Sequence, residues 1–159
     1  MTDASSSGSL RDTWFGSHLP AAAISRLEAH TRSRSFEAGT EILREGDTTR
    51  DMGVVIHGRA AIRLRVPERG VTTILTVEPG NIIGWSAVVP PHRATSTVVA
   101  LVPTDVVLID GAGLRAELEA DPVLAAAVYR SLLEALADRL TGTRMQLLDL
   151  FSQHGDEPW

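Results

Sequence analysis

Apolar positions change their rhythm twice along this chain. Near the start, Leu19, Ala22, Ala23, Ile24 and Leu27 recur at helical spacing, and Pro20 suits a first helical turn. From Ser35 to Asp110 the texture becomes short apolar or alternating runs, at 40–43, 53–56, 60–66, 71–77, 97–102 and 105–109. Turn signals separate them: Glu45-Gly46-Asp47, His57-Gly58, Pro67-Glu68-Arg69-Gly70, Glu78-Pro79-Gly80 and Val102-Pro103-Thr104. In the run 60–66, Ala60, Ile62, Leu64 and Val66 fall on one face and Arg63 and Arg65 on the other, the pattern of a half-buried strand. Regularly spaced short strands predict a small barrel, sandwich or roll.

Beyond Asp110 the pattern is helical. Asp110 is placed to cap a short helix through Leu118, and Asp121-Pro122 is a capping residue followed by proline at the first helical position. A helix of about thirty residues to Phe151 is expected, long for a globular domain. Along it Leu133, Leu136, Leu140, Thr143, Leu147 and Leu150 repeat in alternating steps of three and four. That stripe fits pairing with its own copy in a second subunit, or packing on the roll. Gly142 interrupts the helix, either to let a neighbour approach or as a hinge.

Composition narrows the classes. A chain of 159 residues, 43% hydrophobic, supports one core. Residues 1–12 form a polar, serine-rich tail with nothing to pack, 13–152 the domain (roll about 35–110, C-terminal helices about 111–151) and 153–159 a second tail. No run reaches a membrane span, and the first residues lack the basic and apolar stretches of a signal peptide, so a cytoplasmic address and no membrane partner are expected. The absence of cysteine excludes thiolate chemistry. A net charge of −5 argues against direct DNA binding. The five histidines are isolated, with no spacing suited to a metal, and Ser86 and Thr95 have no base placed to activate them. No catalytic residue, metal or cofactor is therefore assigned.

The stretch from Gly80 to Ser96 carries the chemistry. Gly84 lets a backbone approach a ligand, and a short helical turn over Trp85, Ser86 and Ala87 would aim free N–H groups at an anion. Nine residues on, Arg93 offers a planar fork for phosphate oxygens, with small Ala94 and Thr95 beside it.

Several ordered segments together resemble the cyclic nucleotide-binding domain family: Phe36 to Asp47, Val54 to Arg59, Val77 to Gly84, Arg93-Ala94-Thr95, and the tail through Asp121-Pro122, Asp138-Arg139-Leu140 and Thr143 to Leu148. The resemblance spans about residues 19 to 151. It implies an α+β fold, an antiparallel β-roll of double-stranded β-helix or jelly-roll type, flanked by an N-terminal helix and a long C-terminal dimerisation helix. It further implies that Gly84 opens the phosphate cassette, that Arg93 pairs with a cyclic phosphate flanked by Ala94 and Thr95, and that Thr143 reaches the base. Three departures stand out. Trp85 occupies the place of the family's usual glutamate, and an indole only donates; it is left to stack on base or sugar, or to fill the pocket. Pro90-Pro91 stiffen the loop, and the spacing from Gly84 to Arg93 is one residue short. The helix-turn-helix of the family's transcription factors has no counterpart after the long helix.

These readings converge on a non-catalytic regulatory module, a homodimer that binds a small phosphorylated ligand, cyclic AMP or cyclic GMP foremost, and responds through its long helix. The alternative is a dimeric protein-interaction module whose pocket, occupied by Trp85, binds no nucleotide.

Overall fold

The computed structural model describes residues 8–152, apart from the side chains of Leu150 and Phe151. A short 3-10 turn, Leu10–Asp12, leads into α1 (Trp14–Ser17) and α2 (Ala21–Glu28). Eight strands follow: β1 (Thr31–Phe36), β2 (Glu41–Leu43), β3 (Asp51–His57), β4 (Ala60–Val66), β5 (Gly70–Val77), β6 (Ile82–Ile83), β7 (Thr97–Ala100) and β8 (Thr104–Asp110). Helices α3 (Gly111–Ala120) and α4 (Pro122–Ser152) close the described chain. The strands form two four-stranded antiparallel sheets, ordered β1-β8-β3-β6 and β2-β7-β4-β5, the expected roll.

The central strands of the first sheet, β3 and β8, are covered on both faces, which is why they read as nearly unbroken apolar runs. Met52 and Val54 of β3 and Val107 and Ile109 of β8 join Phe15, Leu27, Leu114, Leu124 and Val128 in a core under the helices. Their neighbours Val55, Val106 and Leu108 turn the other way, into the roll, with Ile62, Val77 and Val98 from the second sheet. The second sheet is more open on its outer face, where Ala61 and Val99 are buried but Arg65 and Val71 are exposed. In β4 a register shift after Ile62 breaks the expected alternation: Ala60, Ala61 and Ile62 are all buried, while Leu64 and Val66 are half-exposed.

Both caps read from the sequence are made. The Asp110 carboxylate accepts from the Gly113 N–H at 2.7 Å, and Asp121 Oδ1 accepts from Val123 and Leu124 N–H at 3.0 and 3.1 Å. Four expectations need correcting. Leu10, assigned to a tail with nothing to pack, is fully buried, so the described part of that tail, from residue 8, belongs to the domain. Ala22 is exposed, because Ala23, Ile24 and Leu27 alone face the core. The roll begins at Thr31 rather than near 35; β1 is a polar edge strand held by its ladder to β8 and by Arg32 on Asp51 at 2.6 Å. Finally, β6 is a two-residue strand within a segment read as loop.

Candidate functional site

Strand β6 delivers the chain to Gly84, whose φ of +66° is left-handed and whose absent Cβ would lie 2.6 Å from the Asp51 carbonyl oxygen. A 3-10 turn, Trp85–Ala87, follows at once. The Ala87 N–H donates to Gly84 O and the Val88 N–H to Trp85 O, each at 3.0 Å. The first two amides of the turn, Trp85 and Ser86, have no acceptor within it. These are the two amides that the expected anion cradle would use.

The return from this turn is tied down closely. Ser86 and Thr49, both buried, share a hydroxyl–hydroxyl bond of 2.8 Å. His92, in left-handed backbone, places Nδ1 2.9 Å from the Ser86 carbonyl; the oxygen only accepts, so Nδ1 carries the proton. His92 is thus part of the loop's framework. The Thr49 N–H donates to His92 O, and Ala94 exchanges backbone bonds with Gly46 and Asp47. At the other end of the turn the Arg115 guanidinium, from α3, donates to Ala87 O.

Between the turn and the start of β7 lies a hollow of about 20 Å³, room for about one water. Gly84, Trp85 and Ser86 line one side and Ala94, Thr95 and Ser96 the other, over a floor that includes Ile62, Ile83 and Val98. The cation facing it is Arg139 of α4. Its guanidinium donates to Ile82 O and pairs with no carboxylate among the described residues; burial pulls its pKa below the ordinary arginine value. At this depth it remains charged.

The nominated residues therefore separate. Gly84, Trp85, Ser86, Ala94 and Thr95 meet at the hollow. Ala87 does not line it: it is fully buried, and its Cβ would lie 3.1 Å from one built on Gly111 at the start of α3. Arg93 does not line the hollow: it is exposed, its Nη1 donates to Gly46 O at 2.9 Å, and it has no carboxylate partner among the described residues. The Thr143 hydroxyl donates to Arg139 O at 2.8 Å, within its own helix. The Trp85 indole is half-buried and packs on the core beneath the helices as well as bordering the hollow. Thr49 and Arg115 were not singled out from the sequence, and Arg139, quoted there within Asp138-Arg139-Leu140, was given no site role. Arg139 had a signal: on the inner stripe Leu124, Val128, Leu132, Ala135 it takes the next place, where another apolar residue would be expected.

The model of the cyclic nucleotide-binding domain matches residues 33–121, from β1 through the cassette to the end of α3. The chain belongs to the cyclic nucleotide-binding domain family. A Geobacter metallireducens protein described as cyclic nucleotide-binding is similar over 82% of this chain and 95% of its own, with 26% identity and a TM-score of 0.74. The fold alone is shared with a variant regulatory subunit of the cyclic AMP-independent protein kinase A of Trypanosoma brucei, solved with cyclic AMP in its A site. That likeness has 18% identity, a TM-score of 0.69, and covers 89% of this chain and 48% of that one. A Rhodopseudomonas palustris protein named as a potassium channel is 28% identical over 109 residues, 69% of this chain; the chain spans about a quarter (26%) of that relative's length.

Two further features of the domain bear on function. Among the described residues no helix is long and apolar enough to cross a membrane, and no group of three His, Asp or Glu is placed to hold a metal. Along α4, Leu133, Leu140 and Leu147 are 68%, 52% and 54% exposed, Leu136 and Thr143 half-buried; Leu150, the last place of the seam, lies outside the described side chains.

Proposed function

We propose that this domain is a non-catalytic sensor that binds a cyclic nucleotide at the cassette and answers through α4. The observation that carries the reading is the meeting of a left-handed Gly84, two unengaged amides and the Arg139 guanidinium at one hollow. N–H groups and a fixed cation around a small cavity form a site for an anion. At about 20 Å³ the hollow accepts no nucleotide as it stands, since small-molecule sites run from about 300 Å³ upward. Binding therefore requires the cassette and α4 to part. A phosphate on the Trp85 and Ser86 amides would draw Arg139 away from Ile82 O, and Arg93 has one neutral carbonyl bond to exchange for a charged one. Because Arg139 belongs to α4, occupancy and helix position are linked, which is what a sensor needs.

The test is a thermal-shift panel of cyclic AMP and cyclic GMP at millimolar concentration on wild type and Arg93→Ala. A rise of several degrees that disappears in the variant supports the reading. The small hollow and the half-buried indole favour one second reading, a homodimeric module that docks to another protein and binds no nucleotide. It wins if wild type shows no shift and Trp85→Glu gains one.

A further inference from the structure

A larger cavity lies on the other side of Arg139. This cleft, about 410 Å³, opens between α1, the β5–β6 turn and α4, and shares only Ile62 and Arg139 with the cassette hollow. The volume falls within the usual range for small-molecule sites. Its walls are mainly apolar: Leu75, Val77, Pro79, Ala135 and Trp14. Trp14 is 39% exposed; its Cβ lies beside the β5–β6 turn, 3.7 Å from a Cβ built on Gly80, and its ring packs against the His18 imidazole at 4.6 Å between centroids. The polar groups are few. Arg139 has one hydrogen bond, to Ile82 O, for its whole fork of donors. Asn81 uses its side-chain oxygen to accept from the Glu78 N–H at 3.3 Å, which turns attention to its amide nitrogen as a donor. Asp138 contributes the cleft's one carboxylate.

We infer that this cleft is a second binding site, for a flat aromatic monoanion such as an aromatic carboxylate. The guanidinium is a half-buried cation without a counter-ion among the described residues and with a single carbonyl partner, so the missing partner is an anion. A carboxylate matches its fork in bidentate geometry. A phosphate dianion fits less well, because Asp138 lines the same cleft and like charges repel. The apolar walls and the indole ask for a ring. The ligand class follows from the cleft's own lining and does not depend on nucleotide binding at the cassette. Because one guanidinium faces both cavities, a carboxylate in the cleft would compete with Ile82 O for it.

The probe is 2-naphthoate, with neutral 2-naphthamide as its isostere, titrated by calorimetry and by the NMR signal of the Trp14 indole N–H. Naphthoate is expected to bind with a sub-millimolar Kd, to move the Trp14 signal, and to bind at least about tenfold tighter than the amide. Arg139→Met abolishes binding. Asp138→Asn, an exposed change that leaves the core alone, tightens it about twofold by removing a like charge. Equal binding of acid and amide, binding that survives in Arg139→Met, or none at about 10 mM overturns the site. If Arg139→Met fails to fold, Asp138→Asn decides: tighter binding supports the site and unchanged binding overturns it.

Discussion

Gly84 concentrates the constraints that shape the cassette. The left-handed turn there ends β6, starts the 3-10 turn and leaves two amides without acceptors, all within four residues. An alanine would have to hold φ near +66° with its Cβ 2.6 Å from a backbone oxygen that cannot yield cheaply. Left-handed backbone alone costs about 1–2 kcal/mol, and the contact adds to it. Gly84→Ala is therefore expected to lower stability by at least that much in chemical denaturation. A loss well under about 1 kcal/mol would mean that the turn relaxes and that the cradle is not rigid. Residue chemistry was legible here because glycine, small residues and arginine each have narrow reasons to sit in such a loop. Side-chain direction was less so. Arg93 follows the cassette in sequence while Arg139 reaches it only through the fold, and which one faces the hollow depends on where α4 crosses the roll. A cation interrupting an apolar stripe was the available sign.

At the scale of elements, α2, α3 and α4 are clasped by one polar cluster. Arg26 donates through Nε to Glu117 at 2.8 Å and through Nη1 to Asp121 at 2.7 Å, while His30 Nε2 lies 3.2 Å from Glu117. The hydrogen bond from His30, then that from Arg26, holds the Glu117 carboxyl below the ordinary glutamate value. The Leu124 amide, ahead of the Val123 amide and Arg26, does the same for Asp121. Depressed carboxylates stabilise the fold above their unfolded pKa, and that contribution is lost as pH falls through the lowered folded values. Arg26→Gln should thus leave α2 amides less protected from hydrogen exchange than in wild type at pH 7, with the difference shrinking as pH falls below the ordinary carboxylate range. A difference that persists in acid would assign the effect to packing of the arginine stem. The elements themselves were mostly visible: sheet strands covered on both faces give apolar runs, and aspartates mark both helix starts. The two missed strands are those where tertiary pairing overrides local pattern. β1, Thr-Arg-Ser-Arg-Ser-Phe, has only Phe36 buried, and β6 is too short to show a period.

At the scale of the molecule, the unresolved demand is the outer face of α4. Its inner stripe is consumed by the domain, with Leu124, Val128 and Leu132 buried in the core and Gly142 letting the helix close on β5, where a Cβ would meet Leu75 at 3.2 Å. The outer stripe is left bare, and its leucines fall at steps of three and four, the spacing at which two parallel helices interlock. Packing on the same roll, the other role open to that stripe, is excluded for Leu133, Leu140 and Leu147 because the inner stripe already holds that position. Each leucine covered is worth about 1.5–3 kcal/mol, enough for a few together to hold two subunits at micromolar concentration. We therefore expect sedimentation to give about twice the 17.1 kDa chain mass for wild type. Leu140→Asp, an exposed change that spares the core, should return it to one chain with its melting behaviour intact except for the lost dependence on protein concentration. Pairing also bears on the sensor: a helix shared with a partner resists displacement, so the monomeric variant should bind cyclic AMP more tightly if parting α4 from the cassette strains the seam, and equally if it does not. A wild type that sediments as a single chain would leave α4 free to answer the ligand alone.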